Sequence, residues 1–405
     1  MKKTLYILFL LVVQLSHAQL TIKGNVSSKS TPLEGAAVYI NNSSIGTTTD
    51  GNGNFELKVS HGRYDIIVSF LGFKTINYDL NTEDYASPLI FKMKEEANLL
   101  DEIVLRNTIY DQAWKHNLAQ FEISFIGTSA FSKNVKILNP KALHFEFDRT
   151  TMKLEAFAKV PLKIENKALG YLVTYDLVSF SRDPEKITYV GYTRYEDLKG
   201  SRSKKRKWKK NRLKAYQGSK THFFKSLLTT NLSEDGFVVN QFRRVKNPNR
   251  PSDKEIENAR KVIRSQRTSF SFPKKIINPK TALDSAIITV RKSRLPKFSD
   301  YLYKQNVPYN KIIKKEKDKT FLVFKDYLSI IYTKEKEEIN FINTYAFGRK
   351  KAPGPQTSAL VITKPYPYIL RTGQVINPLD IFFEGYWGFE KMAETLPLDY
   401  VPPID

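Results

Sequence analysis

Cysteine is absent from this chain of 405 residues. That removes disulfides, thiolate metal sites and a thiol nucleophile together. Histidine is scarce, with five in all. After the first thirteen residues no apolar run approaches the roughly 20 residues that a membrane-crossing helix needs. The mature chain is therefore expected to have no transmembrane helix and to draw its stability from burial. A hydrophobic content of 41%, with 13% aromatic residues, supplies enough for real cores and argues against disorder.

What is present begins with "MKKTLYILFLLVVQLSHA". Lys2 and Lys3 precede an apolar core from Leu5 to Val13, and Ser16-His17-Ala18 is a small-x-small site. This is the pattern of a secretory signal peptide, residues 1–18, cut before Gln19. No cysteine follows, so a lipoprotein anchor is excluded. The chain is expected to be exported, to the periplasm or to the outer membrane or cell surface. Charge then divides it. Residues 20–106 hold eight Lys/Arg against eleven Asp/Glu, whereas 107–405 hold 55 against 30, within a net charge of +24. The expected organisation is a sandwich over 19–106 and a basic body over 107–405 that faces something anionic.

The first of these reads as about seven short strands. Leu20, Ile22 and Val26 alternate, as do Val38 and Ile40, then Phe55, Leu57 and Val59, and then Tyr64, Ile66, Val68 and Phe70. Turns rich in Gly, Asn and Asp separate them. The stretch from Gly24 and Val26 through Pro32-Leu33, Gly35-Ala36, Gly46-Thr47, Asp50, Gly53 and Phe55 resembles the carboxypeptidase-D regulatory-like domain, as do Gly62, Tyr64 and Leu71-Gly72-Phe73. The resemblance implies a transthyretin-like, Ig-like β-sandwich acting as a non-catalytic accessory module, common on exported proteins of Bacteroidota-type bacteria. "LLDEIVL" (99–105) resembles the segment that follows this domain in TonB-dependent transporters. The residues left are too few for a 22-strand barrel with its plug, so a transporter is not expected.

A zinc carboxypeptidase site is not expected either. It needs His-x-x-Glu and a distant His, and none of His61, His116, His144 and His222 has Glu three residues later. His144 and Glu146 share one strand face and read as a satisfied or exposed pair. "DGNGNFE" starts like a calcium loop but has Phe55 and His61 where glycine and an acid belong, so it reads as a hairpin turn. "GTSAF" (127–131) lacks the second glycine of a nucleophile elbow. No catalytic, metal or cofactor-binding residue is assigned, and no cofactor is expected.

The basic body is expected to be a β-rich α+β domain with a few helices, making the whole chain mainly β. It resembles uncharacterised Bacteroidota proteins only. A helix carries Tyr110, Ala113, Trp114, Leu118 and Phe121, with Thr108 and Asp111 suited to a capping box. Strands are expected at 142–148, 153–164, 170–180, 188–198 and 321–333, with "INFINTYAF" returning as another. Ser252 and Glu255 cap a helix over 253–266, and Trp387 sits in a docking helix. "SRSKKRKWKKNRLKAY" (201–216) has nine Lys or Arg among the thirteen residues from Arg202 to Lys214. It is expected to be an exposed loop or hairpin tip, because burying so many like charges would exceed the roughly 5–15 kcal/mol that holds a domain together. Its candidate anion-contacting residues are Arg202, Lys204, Lys205, Arg206, Lys207, Trp208, Lys209, Lys210, Arg212 and Lys214. The expected partner is an anionic envelope surface, a polysaccharide or an envelope protein, with no specific nucleic acid, since export separates the chain from genomic DNA and cellular RNA. The function expected is that of a non-enzymatic cell-envelope protein. Alternatives are a hydrolase whose carboxylates lie scattered in sequence, and a small outer-membrane β-barrel.

Overall fold

A computed structural model describes residues 19–96, 108–265, 278–317, 319–345 and 352–403. The signal segment and all of "LLDEIVL", with the junction at 106–107, lie outside these residues. The chain is mainly β, and its described residues build three large hydrophobic cores, one in the N-terminal sandwich and two within the region expected as a single basic body, beside a smaller cluster.

The sandwich holds β1 (Leu20–Ser28), β2 (Thr31–Pro32), β3 (Ala37–Ile40), β4 (Gly46–Thr48), β5 (Asn54–Val59), β6 (Arg63–Ser69), β7 (Ile76–Asn81) and β8 (Leu89–Lys92). One sheet runs β2-β1-β5 with β8 parallel to β1, and the other runs β4-β3-β6-β7. The alternation read from sequence places Ile22, Val26, Phe55, Leu57 and Val59 opposite Val38, Ile40, Ile66 and Val68, all buried. Two outward residues, Tyr39 and Ile67, are buried as well, because the rest of the chain covers this sheet. The turn after β3 is bonded into the neighbouring unit. Asn42 N–H donates to Thr193 O (2.8 Å), Tyr195 N–H to Ser43 O (3.0 Å), Thr193 N–H to Asn41 Oδ1 (3.0 Å) and Leu398 N–H to Asn42 O (2.8 Å).

The second unit holds β9 (Val135–Ile137), β10 (Leu143–Asp148), β11 (Lys153–Ala158), β12 (Leu162–Asn166), β13 (Tyr171–Arg182) and β14 (Ile187–Asp197). The long β13 pairs β14 along one edge, and along the other it takes β12 at its start and β11 at its end. The single strand expected over 153–164 is thus two, parted where Pro161 has no N–H to give a ladder. Helix α1 (Gln112–Phe125) buries Phe121 and Phe125 against Phe145, Tyr175, Phe180 and Tyr189. Its stripe is buried only toward the C-terminal end; Tyr110 and Ala113 are exposed. Asp111 alone caps it, accepting from Trp114 N–H at 2.8 Å, while Thr108 turns to His144 Nδ1 at 3.3 Å.

The third unit is a sheet ordered β16-β15-β19-β20-β22, from β15 (Phe237–Lys246), β16 (Phe298–Lys304), β19 (Tyr327–Lys336), β20 (Pro355–Ile362) and β22 (Ile381–Gly385). A small sheet of β17 (Ile313–Glu316), β18 (Lys319–Leu322) and β21 (Tyr368–Ile369) lies beside it. The strand expected over 321–333 divides into β18 and β19, with Asp326 between them at φ 57°. Helix α2 (Arg202–Tyr216) links the second unit to α3 (Lys220–Leu228) of the third. Helix α4 (Asp253–Ser265) has the expected cap, Ser252 N–H donating to Glu255 Oε2 at 2.7 Å. It packs on α5 (Ala282–Lys292), which sequence reading missed although Thr281 and Asp284 form a capping box.

"INFINTYAF" was expected as a strand, and Ile339–Tyr345 is instead helix α6. Phe341 and Ile342 are both buried, which adjacent positions on a one-faced strand cannot achieve. They meet Tyr386 and Phe389 of α7 (Tyr386–Phe389), the short helix that docks Trp387 as expected. The barrel alternative is corrected too: among the described residues every sheet is open, with edge strands at both ends.

Candidate functional site

The basic run is a helix, not a loop or hairpin tip. Lys, Arg, Leu and Ala are strong helix formers, and Ser201 caps the start through its hydroxyl to Lys204 N–H (3.4 Å). What pins the helix is a single inward stripe. Trp208 Nε1–H donates to Lys167 O (2.9 Å), Asn211 Nδ2–H to Ala168 O (2.7 Å), and Arg212 to Leu169 O (2.7 Å) and Gly170 O (3.1 Å). Four successive carbonyls of the turn between β12 and β13 are each taken by α2. Gly170 has φ +77°, and a Cβ there would lie 2.2 Å from the Trp208 ring, so the indole sits directly on the turn backbone.

Two of the ten expected surface residues therefore face inward. Trp208 is 7% exposed, and Arg212 stacks 3.8 Å from the Tyr171 ring while bonding Asp197 Oδ1 at 2.6 Å. They hold the helix in place. Lys214 is exposed and lies 6.0 Å from the Phe131 ring. The other seven, Arg202, Lys204, Lys205, Arg206, Lys207, Lys209 and Lys210, are exposed and form no ion pair with a described residue.

A second site escaped sequence reading. A cavity of about 540 Å³ lies where the three units meet, with walls from Asp65, Tyr192, Phe224, Gln374, Glu390 and Tyr400 among others. Lys220, Lys391, Glu390 and Glu394 enter it together. Burial pushes Glu390 up to about 8, against the pull of Lys220 and helped by Glu394, Glu335 and Glu338. It pushes Glu394 up to about 7 and Lys391 down to about 8, and it lowers Lys220. Glu394 accepts from the Ser129 hydroxyl and from Lys391 N–H (3.0 Å). Glu338 accepts from Ala130 N–H (2.6 Å) and Glu335 from Gln356 Nε2–H (3.1 Å). The only local signal was Glu390, Lys391 and Glu394 interleaved with buried Phe389, Met392 and Ala393 in "FEKMAE".

The smaller motifs resolve locally. Asp50 Oδ1 accepts from Asn52 N–H (2.9 Å) and Asn54 N–H (2.8 Å), closing a hairpin turn. His144 lies 4.0 Å from Glu146, and burial lowers its pKa. Among the described residues no cluster of three or more His, Cys, Asp or Glu is placed to hold a metal ion, and no helix is long and apolar enough to cross a membrane.

Comparison with known proteins bears on the N-terminal region. The chain is 32% identical over 101 residues to the TonB-dependent receptor SusC of Bacteroides thetaiotaomicron, a match covering 25% of this chain and 9% of the receptor. The chain thus spans under a tenth of the curated relative it matches. Residues 22–105 match the family model of the CarboxypepD_reg-like domain, with the β-sandwich described above, and the N-terminal unit is a CarboxypepD_reg-like domain.

Proposed function

We propose that this is a non-enzymatic, exported protein of the cell envelope, associated with the outer membrane, whose helix α2 contacts anionic envelope material. The observation that carries the reading is the outward face of α2. Arg202, Lys204 and Lys205 crowd the first turn, where the helix dipole is positive and cations are disfavoured by about 0.3–1 kcal/mol each. Arg202 and Arg206, Lys205 and Lys209, and Arg206 and Lys210 repel at i,i+4 spacing by about 0.2–0.5 kcal/mol a pair. No ion pair with a described residue offsets this, and the charge is directed outward. Near an anionic membrane each cation gains about 1 kcal/mol. The likeness of the sandwich to part of a TonB-dependent receptor supports the outer-membrane setting.

The test is retention of the mature chain on vesicles with and without anionic lipid, and on heparin, across a salt series. Strong retention at low salt that falls steeply with salt is expected on the anionic supports alone. Replacing Lys204, Lys205, Arg206, Lys207, Lys209 and Lys210 with Gln should abolish it. Unchanged retention, with the circular dichroism intact, overturns the reading.

A second reading, hydrolysis, draws on the cavity, where burial raises Glu390 and Glu394 toward the neutral range that suits acid–base work. Turnover of chromogenic esters or glycosides that disappears in Glu390→Gln would support it over the first.

A further inference from the structure

The central cavity has polar groups of both signs that the protein leaves unspent. Glu394, Glu338 and Glu335 are each hydrogen-bonded. Glu390, by contrast, has neither a hydrogen bond nor an ion pair through its carboxylate among the described residues, and the ammonium groups of Lys220 and Lys391 likewise have neither. Lys220 and Glu390 feel each other electrostatically yet stand beyond the 4.0 Å of an ion pair. Lys220 Nζ instead lies 5.2 Å from the Phe383 ring. The Tyr400 hydroxyl in the same wall is buried without a partner. Opposite charges held apart in a crowded site cost desolvation without the attraction that would offset it.

The sign of the missing counterpart follows by elimination. An anion alone would satisfy the lysines but meet Glu390, with Glu394, Glu335 and Glu338 behind it. A cation alone would leave Lys220 and Lys391 facing it. A neutral ligand would leave both signs short of charge. A molecule carrying an ammonium and a carboxylate completes both sets, its ammonium drawing the Glu390 carboxyl, raised by burial, back toward the charged form, and about 540 Å³ lies within the roughly 300–1,000 Å³ range of small-ligand sites. The Phe224, Phe383 and Tyr216 rings in the wall supply apolar surface for a side chain. We infer that this cavity binds a small zwitterion of the amino-acid or short-peptide class, its carboxylate toward Lys220 and Lys391 and its ammonium toward Glu390. This site is independent of the α2 surface.

The probe is Ala-Ala with free termini, titrated calorimetrically into the mature chain, with its N-acetylated form, its C-terminal amide and a neutral trisaccharide alongside. Saturable binding of Ala-Ala is expected, weakened at least tenfold when either terminus is blocked, since each block strands a charged partner. Glu390→Gln should erase the preference for the free amine while sparing the preference for the free carboxylate, and Lys220→Met should blunt the second preference. These are ratios within one variant, so they hold even where a variant is less stable. No saturable heat with Ala-Ala, equal binding of the blocked forms, preferences unmoved by both substitutions, or binding of the trisaccharide in place of the peptide would each overturn the inference. Vesicle retention plays no part in these outcomes, so the α2 reading stands or falls separately.

Discussion

Replacing Trp208 with alanine puts the mounting of the basic helix to the test. The indole is 7% exposed, rests on Gly170 and Gly200, and donates to Lys167 O at 2.9 Å. A buried Trp→Ala change costs about 3–5 kcal/mol through lost transfer energy and the cavity left behind. Orphaning the Lys167 carbonyl contributes on the order of 1 kcal/mol within that. Against a total of roughly 5–15 kcal/mol, this is a large fraction. Asn211 and Arg212 still hold the neighbouring carbonyls, so local release of α2 competes with global loss. The chain has three tryptophans, so denaturant unfolding is best followed by circular dichroism, together with hydrogen exchange over residues 202–216. The expected result is a loss of about 3–5 kcal/mol, or an early loss of helical signal with faster exchange confined to α2. A variant within about 0.5 kcal/mol of the parent, the range of an ordinary surface change, with unchanged exchange would refute the anchoring role.

Other outcomes follow from the same contacts. Gly170→Ala should destabilise strongly, because φ is +77° and the new Cβ meets the indole at 2.2 Å; an unshifted melt counts against the packing. The six-residue Gln variant of α2 should melt at or above the parent temperature, since it relieves repulsions of about 0.2–0.5 kcal/mol per i,i+4 pair; a lower melt would mean those cations have partners inside the protein. Glu394 titrates near 7 in the fold against an ordinary 4.5, so its contribution is fully present below pH 4.5 and is lost as pH rises through about 7. That loss is on the order of 3 kcal/mol, and the stability slope from pH 5 to 8 should be shallower in Glu394→Gln; an identical slope argues against the burial effect. Asn41→Ala strands Thr193 N–H at a cost of about 1–3 kcal/mol, and calorimetry should show the sandwich melting earlier and apart from the rest. A single unshifted transition would refute its docking role.

The sandwich was legible because each strand buries one face. Period-two runs such as Ile66 and Val68, with Asn and Gly at the turns, state the pairing within a few residues of sequence. Exposure of the cationic side chains was equally legible, since no interior accommodates seven unpaired like charges. Their secondary structure was not. Repulsion suggested a loop, and the helix wins because Trp208, Asn211 and Arg212 share one stripe that meets four carbonyls of a turn about forty residues away. "INFINTYAF" misled for a related reason: alternation cannot reveal that Phe341 and Ile342 would both find partners in α7.

By itself the sequence determined the alternation that makes the β-sandwich, the charge asymmetry between 20–106 and the remainder, and the absence of thiol chemistry. Each is a property of composition or of a short window. Tertiary structure alone decided that the sandwich is bonded into its neighbour through Asn41, Asn42 and Ser43, that the basic body has two large cores, and that Lys220 and Glu390 share a cavity. The hydrogen bond from Trp387 Nε1–H to Gly218 O, two residues before Lys220, spans 169 residues. Neither a local pattern nor a propensity extends so far; only the packing of whole units fixes which distant side chains meet.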